Sequence, residues 1–153
     1  MWYEFHQNNS GGSFYIDGYK GIGPNVWIEA DSEEAANDIA EGIGIYFDGV
    51  EKERDCSCCG DRWYPASHGQ EAPIIDTMYN FFHHPNVYLH GKNGEVVTVT
   101  DVTLIGVLTD VDIPLRQDLF CFVTDGSEEM LKVWKYKHTL YGETIHNFLI
   151  GPE

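Results

Sequence analysis

The strongest constraint on this chain is one capped amphipathic stretch in a sequence otherwise broken every few residues by turn signals. Asp31-Ser32-Glu33-Glu34 opens it. Asp31 can satisfy free amides at a helix start, and Glu34, three residues on, can reach back to close a capping box. Ala35, Ala36, Ile39, Ala40 and Ile43 recur at helical spacing, and Gly42 and Gly44 end the run. A helix is therefore expected over about residues 32–42, with Ala35, Ala36, Ile39 and Ala40 turned toward a core.

The flanking segments are too short and too often interrupted for further long helices. Residues 1–7 and 13–17 read as two strands joined through Asn8-Asn9-Ser10-Gly11-Gly12, a hairpin pattern. Asn25 to Ala30 reads as a third strand and Ile45-Tyr46-Phe47 as a fourth, ending at the turn Asp48-Gly49. Ile74, Ile75, Met78, Phe81 and Phe82 suggest a second, short helix stopped before Pro85. Val87 to His90 and Glu95 to Thr100 flank Gly91-Lys92-Asn93-Gly94, a strong hairpin signal. Further strands are expected at Thr103–Leu108, Leu119–Thr124, Leu131–His138 and Thr144–Leu149. The fold class is α+β: a mixed or antiparallel sheet, one main helix, a cysteine-rich loop and a mostly β C-terminal half. At 153 residues a single domain over 1–153 is expected, with a strand–helix–strand unit in 1–50, the cysteine loop in 50–73 and a β-rich part in 74–150.

The chemistry concentrates in Cys56-Ser57-Cys58-Cys59-Gly60-Asp61-Arg62-Trp63. Cys56-x-x-Cys59-Gly60 has the form of a zinc knuckle, in which two thiolates close on one metal above a glycine turn. A structural zinc normally takes four ligands. Adjacent residues diverge, so Cys58 is expected to point away; His68 is the third ligand by chain proximity, with His83, His84, His90 and Cys121 as further candidates. The competing reading is a tight turn with thiols buried beneath Trp63. Arg54 and Arg62 beside the thiols would suit redox chemistry, but such pairs usually open a helix and this one lies between turns.

Other constellations are weaker. Asp17 to Pro24 is glycine-rich but lacks the Lys-Ser/Thr ending and the following helix of a phosphate loop. There is no nucleophile elbow. His83 and His84 are neighbours and cannot share one helix face. Lys132, Trp134 and Tyr136 read as an edge strand blunted by lysines.

Charge limits the partners. Twenty-five acids against nine Lys and Arg give a net charge of −16, and eleven of the acids fall within residues 29–61. Such a field repels nucleic-acid phosphates and attracts basic protein surfaces. No apolar run approaches the roughly 18 residues of a membrane span, and the amino terminus lacks a basic and apolar leader, so a cytosolic setting is expected.

Four runs occur in order near the amino terminus: Gln7-Asn8-Asn9-Ser10-Gly11-Gly12-Ser13-Phe14, Glu29-Ala30-Asp31-Ser32-Glu33-Glu34-Ala35, Gly44-Ile45-Tyr46-Phe47-Asp48-Gly49, and Asp55-Cys56-Ser57-Cys58-Cys59-Gly60-Asp61-Arg62-Trp63. Over residues 1–64 the chain resembles a family of short proteins encoded by tailed bacteriophages. The resemblance implies work in the cytoplasm of an infected bacterium, and small acidic phage proteins often bind a host component. The expectation is thus an accessory protein that blocks or redirects a host protein, with an anti-defence role among the options. Glu33, Glu34, Asp38 and Glu41 would form its binding face. The alternative is a small-ligand binder or enzyme with a pocket near Trp63, Tyr64 and His68.

Overall fold

The computed structural model describes residues 1–8, 12–76, 84, 86–100 and 122–124. The order is β1 (Trp2–His6), β2 (Asn25–Glu29), α1 (Glu33–Ile43), β3 (Ile74–Asp76), β4 (Asn86–His90), β5 (Val96–Thr100) and β6 (Phe122–Thr124). Four strands make a mixed sheet in the order β1-β2-β4-β5, and β3 pairs with β6 in a parallel two-stranded sheet. The fold is α+β.

β1 and β2 run antiparallel with Trp2 opposite Glu29 and His6 opposite Asn25. β2 and β4 run parallel. A parallel pair requires a crossover, and α1 lies within this one. α1 covers the face that carries Tyr3, Phe5, Val26 and Ile28, joined by Ile22, Ile45, Phe47 and Trp63 in one buried cluster. Ala36 and Ala40 are fully buried against it. Their small side chains let the helix axis come close to the sheet. The opposite face carries Trp2, Trp27, Val87, Leu89 and Val99, also buried. Strands buried on both faces explain why β2 and β4 read as near-continuous apolar runs.

The hairpin expected between residues 1–7 and 13–17 does not form. β1 takes β2 as its partner. The buried Gln7 side chain supplies a substitute ladder: its Oε1 accepts from Tyr15 N at 2.8 Å and its Nε2 donates to Tyr15 O at 2.6 Å and Gly23 O at 2.9 Å. The cap of α1 is also displaced by one residue. Ser32 Oγ accepts from Ala35 N at 3.1 Å, whereas Asp31 pairs with Lys92. Ile39 is exposed, at 39% of its surface, because Ala36 and Ala40 hold the centre of the stripe and Ile39 falls on its shoulder.

Ile45-Tyr46-Phe47 is not a strand. Gly44 adopts a left-handed conformation, φ 115°, and Ile45 N donates to Ala40 O at 2.9 Å, closing the helix end. The amide that a strand would need is used there, yet Ile45 and Phe47 still point into the core, with the Phe47 ring 6.1 Å from that of Phe5. Ile74–Asp76 is a strand rather than the start of a helix, in keeping with Pro73 before it and two β-branched residues within it. The rest of that expected helix lies outside the described residues. So do the expected strands at 103–108, 131–138 and 144–149, while Phe122–Thr124 falls inside the one expected at 119–124. The β4–β5 hairpin forms as read, closed by Gly91 N donating to Glu95 O at 2.7 Å.

Candidate metal-binding turn and its brace

Residues 56–60 form a compact turn in which Cys59 N and Gly60 N both donate to Cys56 O, at 3.2 and 3.1 Å. Gly60 adopts φ 86°, a conformation that costs glycine nothing and reverses the chain after the thiols. The turn gathers Cys56, Cys58 and Cys59 on its solvent side, with their Sγ atoms all within 4.8 Å of one another and Cys58 Sγ 3.5 Å from Cys59 Sγ. All three thiols are exposed and free. This spacing can hold a metal ion. Among the described residues it is the one cluster of metal-ligating side chains close enough to do so.

Two expectations about the ligand set change. Cys58 joins the group, because the tight turn bends its side chain to the same side as those of Cys56 and Cys59. His68 is exposed and outside it. The chain after Tyr64-Pro65 runs away from the turn toward Gln70, whose backbone pairs with that of Trp2 at 2.6 and 2.7 Å. His84 and His90 also lie outside the group, and His83 and Cys121 fall outside the described residues. Within the trio, hydrogen bonds from Cys58 lower the Cys56 thiol, while hydrogen bonds to Cys56 and then Cys59 push Cys58 up to about 11. A thiolate on Cys56 is thus favoured by a protonated neighbour.

The turn is held by a polar brace that the sequence motif does not reveal. Asp55 is almost wholly enclosed, with 1% of its side chain exposed. Its Oδ1 accepts from the Tyr46 hydroxyl at 2.6 Å and its Oδ2 accepts from Arg62 N at 2.8 Å, while Arg62 Nε lies 3.9 Å from Oδ1. The residue before the cysteines thereby grips the residue after them. Burial, then the bond to Asp55, push the Tyr46 phenol above its ordinary value. Arg62 Nη1 donates to Gln7 Oε1 at 3.0 Å and to Ser13 O at 2.8 Å, tying the loop to the end of β1. Asn8 Nδ2 donates to Cys59 O at 2.6 Å, and Asp61 Oδ1 accepts from Val50 N at 2.9 Å.

The other proposed positions separate. Glu33, Glu34, Asp38 and Glu41 are all exposed on α1. Tyr64 is exposed, but Trp63 is 1% exposed and belongs to the core cluster, so it offers no surface for a ligand. Trp63 instead anchors the cysteine loop from within, while the thiols remain in solvent.

The fold and the turn define a small α+β domain bearing an exposed trio of thiols braced from beneath. The chain belongs to the family described as a domain of unknown function, DUF7296, which it matches over residues 1–111. No curated protein and no solved structure matches it. Among the described residues no helix is long and apolar enough to cross a membrane.

Proposed function

We propose that this chain is a non-enzymatic interaction protein whose acidic α1 face engages a basic surface on a partner protein, with a zinc ion held by the cysteine turn. The setting implied by the sequence resemblance is a phage-infected bacterial cell, and the partner is then a host protein such as a defence enzyme. The observation that carries the reading is the state of α1. Glu33, Glu34, Asp38 and Glu41 are exposed, α1 has no basic residue in its last turn, and none of the four carboxylates forms an ion pair among the described residues. Glu41 sits at the helix end where the dipole disfavours an anion. A basic partner would relieve both effects.

Thiolates suit zinc among the soft and borderline metals, and a zinc ion normally takes four ligands. Cys56, Cys58 and Cys59 supply three, leaving one position for solvent or another side chain.

The test captures the partner on the full chain from infected-cell lysate and then measures association and dissociation rates against salt. Rim charges act chiefly on association, so association should slow more than dissociation quickens as salt rises. Reversing Glu34, Asp38 and Glu41 to lysine should reproduce the loss at low salt without unfolding the domain. Binding that survives both treatments refutes the acidic-face reading. For the metal, elemental analysis of chain purified without chelator should find close to one equivalent of zinc, lost in a Cys58→Ser variant. Below about a tenth of an equivalent, the zinc reading fails.

A further inference from the structure

We propose that a cationic cleft beside the cysteine loop binds a small phosphorylated ligand of mononucleotide size. The inference does not rest on the acidic-face reading, although Glu41 borders both surfaces. The cleft has a volume of about 590 Å³, and Lys20, Lys52, Arg54, Arg62, Tyr15 and Tyr46 contribute to its lining. Sites for small molecules commonly span roughly 300–1,000 Å³.

Charge is the first observation. The chain has nine Lys and Arg against 25 acids, yet four of the nine converge on this one cleft. Four cations gathered in one cleft repel one another, and an anion between them relieves that repulsion. Glu41 is the acid that shares the lining.

The loop from Asp48 to Asp55 sorts its charges. It folds through two non-glycine residues in left-handed conformations, Asp48 at φ 56° and Glu53 at φ 62°. Lys52 N donates to Asp48 O at 2.9 Å, Arg54 N to Gly49 O at 2.7 Å and Asp55 N to Gly49 O at 3.0 Å. The result places Lys52 and Arg54 on the cleft, while the interleaved Glu51 and Glu53 are exposed and outside its lining. Backbone strain of this kind tends to collect at ligand sites.

The cations are also prepared for different tasks. Arg62 is positioned by Gln7, Ser13 and Asp55. The Arg54 guanidinium lies 3.7 Å above the centre of the Tyr46 ring, stacked in place. Neither Lys52 nor Arg54 has an ion-pair partner among the described residues. Lys20 is already 4.0 Å from Asp17. Lys52 and Arg54 are therefore the groups for a phosphate, and the exposed Tyr15 ring offers a flat surface for a base.

The experiment is calorimetric titration of the full chain at about 0.1 M salt with adenosine monophosphate, inorganic pyrophosphate, adenosine and a single-stranded oligonucleotide. The monophosphate should bind, and adenosine should bind at least tenfold more weakly, because the phosphate supplies the charge-assisted contacts. Lys52→Ser and Arg54→Gln should each weaken the nucleotide roughly tenfold, as expected for loss of one such contact. Arg54→Lys should recover part of the loss, which separates charge from stacking. Lys92→Ser removes the same unit of charge elsewhere, at the residue paired with Asp31, and should leave affinity unchanged. The proposal is overturned if neither nucleotide nor pyrophosphate binds at millimolar concentration, if Lys92→Ser weakens binding as much as Lys52→Ser, or if a single-stranded oligonucleotide binds more tightly than the mononucleotide.

Discussion

Replacing Asp55 by alanine tests whether the brace beneath the thiols holds the cysteine loop. The carboxylate is enclosed and accepts from the Tyr46 hydroxyl at 2.6 Å and Arg62 N at 2.8 Å. A hydrogen bond to a charged group contributes about 1.5–3 kcal/mol, so losing two costs about 3–6 kcal/mol. The Arg62 guanidinium adds less than an isolated buried partner would, because Gln7 Oε1 and Ser13 O still hold it. Domains are stable by about 5–15 kcal/mol, so the loss is a large share of the total. At about 2–4 °C per kcal/mol for a chain of this size, the melting temperature should fall by about 6–24 °C. Asp55→Asn keeps the shape, and its amide can donate to a reoriented Tyr46 hydroxyl while its oxygen still accepts from Arg62 N. It should cost only about 1–2 kcal/mol. Urea unfolding followed by tryptophan fluorescence is the assay, since Trp63 is buried just beyond the brace. If Asp55→Ala lies within about 1 kcal/mol of the parent, the polar network does not hold the loop and the reasoning is wrong.

Two further outcomes follow from burial. Ala36→Asp places an unpaired carboxylate in the core and should cost about 3 kcal/mol or more, whereas Ile39→Asp, on the exposed shoulder, should cost under about 1 kcal/mol; thermal melts of equal depression would contradict the helix orientation. His90 is buried, with its Nε2 2.8 Å from Gly21 O, and burial lowers its pKa below the ordinary 6.5. The unfolded chain therefore takes up a proton near pH 6.5 that the folded chain refuses, so the contribution is complete above that pH and is lost as pH falls toward the folded value. Relative to His90→Gln, the parent should lose up to about 1.4 kcal/mol per pH unit in that window, and parallel stability curves for the two would refute it.

The features legible in the sequence are those specified by neighbours along the chain. The alanine stripe and Gly44 specify α1 within a few residues, with the cap at Ser32 rather than the expected Asp31, and Gly91 to Gly94 specifies the β4–β5 hairpin. The two expected strands that do not form share one reason. Residues 13–17 and 45–47 have the apolar content of strands, but their amides are satisfied otherwise, by the Gln7 side chain at Tyr15 and by the helix end at Ile45. Apolar content suggests a strand at both places, although Tyr15 and Ile16 are exposed while Ile45 and Phe47 are buried; it does not record where the amide hydrogens go. The pairing of β1 with β2 is likewise a long-range choice that no local pattern encodes.

The thiol turn is half legible in the sequence, and the other half shows what joins it to the cleft. Cys-x-x-Cys spacing points to Cys56 and Cys59, while the place of Cys58 depends on how tightly the turn closes. That closure is set by Asp55 gripping Arg62 across the cysteines and by Asn8 holding Cys59 O. Tyr46 and Arg62, which contact Asp55 in this brace, also line the cationic cleft. The two surfaces therefore share a single support although their ligands would differ, one a soft cation and the other an anion. Loosening that support at Asp55 should weaken metal retention and phosphate binding together, whereas Cys58→Ser and Lys52→Ser each act on one surface and leave the brace in place. If Asp55→Ala loses stability yet retains both ligands at parental affinity, the turn and the cleft are organised by something other than this network.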